Sequence, residues 1–418
     1  MKLSDDMSER SFGLADCNNF FVSCERRIDN SLDNRPVVVL SSNDGCVISR
    51  SNEVKKLGIK MGEPFFKIKN ILAYNGVAIR STNMRLYQQV SVEVMEIIKL
   101  YSDATEMYSI DESFFNMAIH NIKEPKEYCL KMRRHIWNKC RIPVSIGIAP
   151  TKTLAKLGTE YAKNNKQTNG IFWVNRMRYT DMQFMSQFNC SDVWGIGRQT
   201  TKKLASYRIK TAADFMRKDD IWLKTNFGVT TMYCSWELNG HPVYSLVSDK
   251  KPPKSIMVSR SFGVPLKTFD DILDPLLCFT VSAARQLRKA NQAAKKITVF
   301  IATNRFETEN YYSNSKDIYF DEPRFLDVDL MLSAKEALGT IFLGNRDYKK
   351  CGIILSELCD TSCGIQSSLF FDRDDKKEAI TKTVDNINAE TLSSLMKPAL
   401  LFNPPNEEKR WTQTSLRP

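Results

Sequence analysis

The feature that most constrains this chain is a break near its middle. The segment SDKKPPKS (248–255) sets two prolines and four charges between two long stretches that each carry strand-like and helix-like patterns. Paired prolines next to charged residues suit neither a helix interior nor a central strand. Residues 248–256 therefore read as a linker, and the chain as at least two bodies. The length agrees: 418 residues exceed what one hydrophobic core normally organises.

Ahead of the break, strands and helices interleave. FGLADCNNFF (12–21) begins apolar and turns polar, as a strand ending at a carboxylate does. RPVVVL (35–40) predicts a second strand. NDGCVISRSNEVKKLGIKMGEP (43–64) predicts a turn, a short strand and a helix closing at Gly58. Helical spacing runs from Leu86 to about Leu100. YSIDESFF (108–115) reads as a strand pair, or a strand and turn, around an Asp-Glu dipeptide. A helix over 124–139, a strand at VSIGIAP (144–150) and a Thr-started helix at TKTLAKLGTEYAK (151–163) follow. This interleaving argues an α/β or α+β domain. Residues 178–245 read as mostly helical.

Beyond the break, MVSRSFG (257–263) predicts a strand, VSAARQLRKANQAAKK (281–296) a strong helix and ITVFIAT (297–303) a strong strand. These make a second α+β domain. From about residue 372 the chain turns polar, which predicts a loosely held tail with a helix that puts Ile380, Val384 and Ile387 on one face.

The chain carries 60 basic and 48 acidic residues, a net charge of +12. That excess suits a polyanionic partner such as nucleic acid. It is concentrated: residues 198–218 hold seven basic residues (Arg198, Lys202, Lys203, Arg208, Lys210, Arg217 and Lys218) against one acid, Asp214, and residues 249–305 hold 11 against 4. The 11 cysteines form no CxxC pair and only three histidines are present, so zinc-type spacing is absent. No run of 18 apolar residues occurs, and the opening MKLSDDMSERSF lacks the apolar core of a signal peptide. We expect a cytoplasmic protein with reduced, buried thiols, no membrane span and a place in the nucleoid.

The acids carry the chemistry. Magnesium takes hard oxygen ligands, usually one or two carboxylates plus phosphate oxygens, and two-metal phosphoryl transfer needs carboxylates that bridge a pair of ions. Asp16 at a strand end, with Asp111 and Glu112 on a neighbouring strand, supplies that donor set, and the backbone carbonyl of Cys17 adds another oxygen. An Asp-Glu dipeptide alone is commonly a solvated turn. Here both acid segments lie against apolar strand-like runs, where a purely surface role is less natural.

FGLADCNNFFVSCE (12–25), YSIDESFF (108–115) and VSIGIAPTKTLAKLGTEYAK (144–163) resemble three signature segments of the Y-family DNA polymerases. Residues 43–64 and the ending KRWTQTSLRP (409–418) resemble its UmuC-type branch, the catalytic subunits of bacterial DNA polymerase V. The likeness covers roughly residues 12–371 in the family's order. It implies an α+β multidomain right hand: a palm (11–20 and 83–177), fingers (21–82), a helical thumb with a helix-hairpin-helix (178–247), a linker (248–256), a little finger (257–364), and a clamp-binding motif with a C-terminal tail (365–418).

The same resemblance implies an error-prone translesion polymerase of the SOS response. Asp16, Asp111 and Glu112 fall on the catalytic acids, with two Mg2+ ions, and Phe21 on the aromatic steric gate beneath the incoming sugar. Ser49, Asn52, Lys55 and Lys163 fall near the nucleotide. In WGIGRQTTKKL (194–204), Gly195 and Gly197 form the hairpin, with Arg198 and Lys202 on the following helix, whose N-terminus suits a phosphate. Arg260 falls near the template backbone. Such phosphate contacts read no sequence, as an enzyme accepting any template requires. In IQSSLFFD (365–372), Gln366, Leu369 and Phe370 match a sliding-clamp motif. Primer-template DNA, deoxynucleoside triphosphates, the clamp, a UmuD′-like protein and a RecA filament are the implied partners. Two other readings stand beside this one. A non-catalytic DNA- and clamp-binding scaffold would not need the three acids together. A nucleotidyl cyclase would need neither the helix-hairpin-helix nor the basic second domain.

Overall fold

The computed structural model describes residues 10–118, 124–247, 252–307, 311–361 and 375–390. The chain divides into two compact units between Lys250 and Lys251. The segment 365–372, with Gln366, Leu369 and Phe370, and the ending 409–418 lie outside the described residues.

The first unit opens with β1 (Arg10–Cys17), α1 (Phe20–Ile28), β2 (Val37–Leu40), β3 (Val47–Arg50), α2 (Asn52–Lys56), α3 (Phe65–Tyr74), β4 (Ala78–Ser81) and α4 (Met84–Lys99). It continues with β5 (Thr105–Met107), β6 (Glu112–Ala118), α5 (Pro125–Cys140), β7 (Val144–Ala149), α6 (Lys152–Asn164) and β8 (Ile171–Trp173). Six helices close it: α7 (Arg176–Tyr179), α8 (Met182–Met185), α9 (Arg198–Ser206), α10 (Ala212–Met216), α11 (Asp220–Phe227) and α12 (Val229–Leu238).

Its main sheet has the order β5-β6-β1-β7-β8, with β1 central and antiparallel to both neighbours. Period-two alternation sends successive side chains of β1 to opposite faces. Ala15 and Cys17 face a core built from α4 and α5, with Val94, Ile98, Met132 and Ile136. Leu14 faces the other core, with Leu154 and Leu157 of α6 and the apolar residues of α8–α12. Asp16, one pleat on from Leu14, stands on the α6 face at the open end of the strand.

Helix α6 lies unusually close to the sheet because β7 carries a glycine. A Cβ at Gly147 would come within 2.1 Å of the Ala155 carbonyl oxygen and 2.4 Å of the Thr159 nitrogen. Thr151 caps α6 by accepting from the Leu154 N–H. Its hydroxyl donates to the Glu237 carbonyl, and the buried Glu237 carboxylate accepts from the Thr153 and Val243 N–H groups. One buried acid thus ties the start of α6 to α12.

A separate small sheet, ordered β3-β2-β4, carries α2 and α3 over its own core of Val38, Val47, Val54, Ile68 and Leu72. Gly58, just past α2, takes φ +81°, the left-handed conformation that stops a helix at little cost for glycine.

The second unit is a four-stranded antiparallel sheet. Its strands are β9 (Ser255–Leu266), β10 (Gln292–Thr303), β11 (Ser313–Arg324) and β12 (Tyr348–Asp360), in the order β11-β10-β12-β9. Helices α13 (Phe269–Lys289) and α14 (Asp327–Ile341) pack on it through Leu276, Ala283, Leu287, Leu330 and Leu338. Three expectations need correction here. The stretch 248–256 expected as a linker overlaps β9, which already includes Ser255. The helix expected over 281–296 begins twelve residues earlier and ends at Lys289; Asn291, at φ 53°, turns the chain into β10. The polar tail is held in part, since α15 (Asp375–Glu390) presents Asp385 to Arg288 through contacts of 2.6 and 3.0 Å. Its Ile380 is exposed, whereas Val384 and Ile387 are partly buried.

Candidate active site

The antiparallel pairing of β1 and β6 sets Asp16 directly opposite Glu112. Residues opposed in such a pair share a face. Asp111, one residue earlier, sits in the turn that enters β6; its carbonyl accepts from the Cys17 N–H at 2.9 Å. Its carboxylate accepts from the Ser109 hydroxyl at 2.6 Å. The fold therefore gathers all three acids at one end of the central strands.

Helix α6 faces them with a row of lysines. Lys163 Nζ lies 2.7 Å from Asp16 Oδ2, and Lys156 Nζ lies 2.8 Å from Glu112 Oε2. One turn further back, the buried Lys152 pairs with Glu106. Lys156 also lies 4.5 Å above the Tyr108 ring. Sequence reasoning found Lys163 and passed over Lys156. The signal was present: 152, 156 and 163 are separated by four and seven residues, which places them on one helical face.

The acids do not titrate alike. Burial pushes the Asp16 carboxyl up to about 7, against the lowering effect of Lys163, and a hydrogen bond to Glu112 adds to the rise. Burial also pushes Glu112 up, but the charge and hydrogen bond of Lys156 outweigh it, so Glu112 lies below its ordinary value. Burial pushes Lys163 down, and the charge and hydrogen bond of Asp16 outweigh that in turn, leaving Lys163 above its ordinary value. Burial and the two lysines thus set the facing acids apart, Asp16 above and Glu112 below the ordinary carboxyl value. Two like charges this close favour keeping a proton or taking up a cation.

Two cavities meet at Asp16 and Lys163. One, of about 1000 Å3, is lined by Glu112, Lys156 and Glu160 as well. The other, of about 390 Å3, adds Phe21, Ser49, Asn52, Lys55 and Asp111. The chain reaches Phe21 by a turn at Asn19, which takes φ 48° and ends β1. Phe21 stacks on the buried Tyr87 ring at 4.5 Å and 17°. Tyr87 in turn donates to Glu25 at 2.6 Å. The Asn19 side-chain amide donates to Asn52 at 3.1 Å. Ser49 is buried in β3, and Lys55 stands exposed on α2. The nucleotide-side residues singled out in the sequence therefore share one cavity.

The remaining site residues lie elsewhere. Gly195 takes φ 93°, and a Cβ there would meet Cys234 Sγ at 2.6 Å. Gly197 precedes α9, whose first turn has no side-chain cap. Arg198 and Lys202 are exposed on α9. The segment ahead of the hairpin is only a 3-10 turn, Cys190–Asp192. Arg260 is exposed on β9, an edge strand of the second unit.

Facing hard-oxygen carboxylates form a donor set suited to a divalent cation. Among the described residues, no group of three or more His, Cys, Asp or Glu side chains is placed to hold a metal ion as it stands. Asp111 is turned onto Ser109. The ten described cysteines are free, and no helix among the described residues is long and apolar enough to cross a membrane.

The site and fold together describe a right-hand polymerase of the Y-family type. The chain belongs to the impB/mucB/samB family: the family model matches residues 15–160, and the model of the family's C-terminal domain matches residues 253–369. It is 33% identical over 384 residues to Protein UmuC of Salmonella typhimurium, covering 90% of each chain. It is 25% identical over 408 residues to DNA polymerase IV of Desulfatibacillum aliphaticivorans, covering 94% of this chain and 98% of that one. Among solved structures, a Y-family DNA polymerase chimera of Dbh and Dpo4 superposes with a TM-score of 0.68 at 22% identity, covering 84% of this chain and 99% of the other.

Proposed function

We propose that this chain is a template-directed DNA polymerase that carries out error-prone synthesis across damaged DNA in the SOS response. The observation that carries the reading is the Asp16–Glu112 pair, register-matched on adjacent strands and faced by Lys163 and Lys156, with Asp111 beside it. A scaffold that only bound DNA would have no use for partly buried acids gathered opposite one another.

Asp16, Asp111, Glu112 and the Cys17 carbonyl would hold two Mg2+ ions. When bound, these lower the pKa of a primer 3′-hydroxyl and neutralise charge on the triphosphate. The chain's own residues do the rest. Lys163 and Lys55 hold the triphosphate, whose charge exceeds what two ions cancel. Phe21, held flat on Tyr87, blocks the space a 2′-hydroxyl would occupy, so deoxynucleotides are preferred. Ser49 and Asn52 border the nascent base pair, and the small Ser49 leaves room for a distorted base. Gly195, Gly197, Arg198, Lys202 and Arg260 hold primer-template DNA through its backbone. The segment 365–372 docks a sliding clamp through Gln366, Leu369 and Phe370. A UmuD′-like subunit and a RecA filament activate the enzyme at the nucleoid, in the cytoplasm.

Single-nucleotide incorporation on an undamaged primer-template tests the catalytic half of this reading. With Mg2+, clamp, UmuD′ and RecA present, the wild type extends the primer, and Asp16→Ala and Glu112→Ala each lose at least ~100-fold in rate. Extension at equal rates by all three proteins would reject the assigned acids.

A further inference from the structure

Helix α3, on the small sheet, turns two aromatic rings to solvent. Phe66 is 77% exposed and Tyr74 is 91% exposed. Spacings of four residues put Phe66, Asn70 and Tyr74 on one face of the helix, with Lys67 and Ile71 beside them. Ile68 and Leu72 take the opposite face into the core. Phe66 and Tyr74 lie about 12 Å apart along the helix axis.

The charge around these rings points to what covers them. Residues 55–74 hold five lysines, all exposed, against one acid, Glu63. Glu63 is taken up by the Lys60 backbone N–H at 2.8 Å. Among the described residues, Lys56, Lys60, Lys67 and Lys69 form no ion pair. Lys67 Nζ lies instead 5.9 Å from the Phe66 ring centre. Protein-binding patches are rich in aromatics but poor in lysine. Exposed rings bordered by unpaired ammonium groups suit unstacked bases joined by phosphates. The face also begins at the rim of the site. Met61, three residues ahead of the α3 cap at Pro64, lines the cavity that holds Phe21, Ser49 and Asn52. The Glu63 carbonyl accepts from the Val47 N–H at 3.0 Å, which fastens this approach to β3.

We propose that the exposed face of α3 binds single-stranded DNA, namely the unpaired stretch of template that has not yet entered the site. Phe66 and Tyr74 stack on its bases, and Lys67 and Lys69 neutralise its phosphates. The inference rests on the polymerase reading and extends it to a surface outside every motif singled out in the sequence. Stacking accepts any base, as a template of any sequence requires.

The test uses the full chain and two fluorescent primer-templates. They differ only in the single strand ahead of the primer end, one unpaired nucleotide or about twelve. Dissociation constants are measured by anisotropy, with melting temperature as the check on folding. We expect the wild type to bind the long overhang more tightly than the short one. Phe66→Ala and Tyr74→Ala should each cut that gain about fivefold or more, and the double variant should bind both DNAs alike. Tyr74→Phe should keep the gain. Should the alanine variants melt low, Phe66→Leu with Tyr74→Leu decides, because leucine keeps helix propensity and apolar area but removes the ring. Lys67→Gln should lower the salt slope on the long overhang by about 0.7 and leave the short one unchanged. All variants should incorporate a nucleotide on the short template at the wild-type rate. The same gain in the wild type and the ring-free variants would overturn the inference, and so would no gain in the wild type. Ring-free variants that keep the gain but lose UmuD′ or RecA would make the face a protein dock, which also overturns it. A gain that needs both rings, in a wild type that incorporates no nucleotide, would keep the single-strand surface and reject the polymerase.

Discussion

At the residue scale, the site turns on two facing acids whose carboxyl values are pushed in opposite directions. Asp16 has an ordinary pKa of 3.8 and a folded value of about 7. The folded chain therefore binds more protons than the unfolded chain between those values, and stability falls as pH rises through that window. The contribution is complete below about pH 4 and lost above about pH 7. In chelating buffer, the wild-type melting temperature should decline across that range, and the Asp16→Asn curve should be flatter. Parallel curves would mean that the proton resides elsewhere. Added Mg2+ should raise the wild-type melting temperature more at pH 8 than at pH 6, because the cation competes with the proton for the same oxygens.

The three acids were legible in the sequence because each broke an apolar strand-like run, and a charge has few reasons to stand there. Lys156 was not. A basic residue on an amphipathic helix looks the same whether it faces water or a buried acid. Only the packing of α6 on β7 separates those cases.

At the element scale, α6 is what makes the site. Gly147 lets it settle on β7, Thr151 caps it, and Glu237 fastens its start. Its lysines then fall over β1 and β6. Gly147→Val would drive a side chain into the Ala155 carbonyl and the Thr159 backbone. We expect a destabilisation of about 1–3 kcal/mol, read as a lower melting temperature, together with a large loss of nucleotide incorporation as Lys163 moves off Asp16. Full activity in a protein of unchanged stability would show that the close approach is unnecessary. Elements were read well where a cap or a period marked them, as at Thr151 and along β7. They were read poorly at α13, whose Pro275 hides its first turns behind an apparent break. The start of β10 was missed because QAAKK carries no strand signature; Asn291 and the pairing with β12 decide it.

At the scale of the whole molecule, charge and division into units fit a protein that follows DNA without reading it. Nearly all of the net +12 lies in the first unit, and exposed cations stand on α9 and at Arg260 of β9. Affinity for primer-template DNA should fall linearly with salt on logarithmic axes. Arg198→Ala and Lys202→Ala should each lower that slope by about one and weaken all sequences alike. A variant that changed sequence preference with an unaltered slope would contradict the backbone role. The two-body organisation followed from the proline-rich break. The start of β9 did not, because Ser255 is taken into the sheet through its pairing with Ser356, a partner 101 positions away in the chain.

The central claim is that Asp16, Asp111 and Glu112 drive synthesis past damage. The most direct measurement is primer extension on a template with an abasic site, supplied with Mg2+, sliding clamp, UmuD′ and activated RecA, comparing wild type with Asp111→Ala. The account predicts product beyond the lesion from the wild type and none from the variant, with both binding DNA equally. Failure of both proteins to extend, despite tight DNA and clamp binding, would contradict it and leave a scaffold in place of an enzyme.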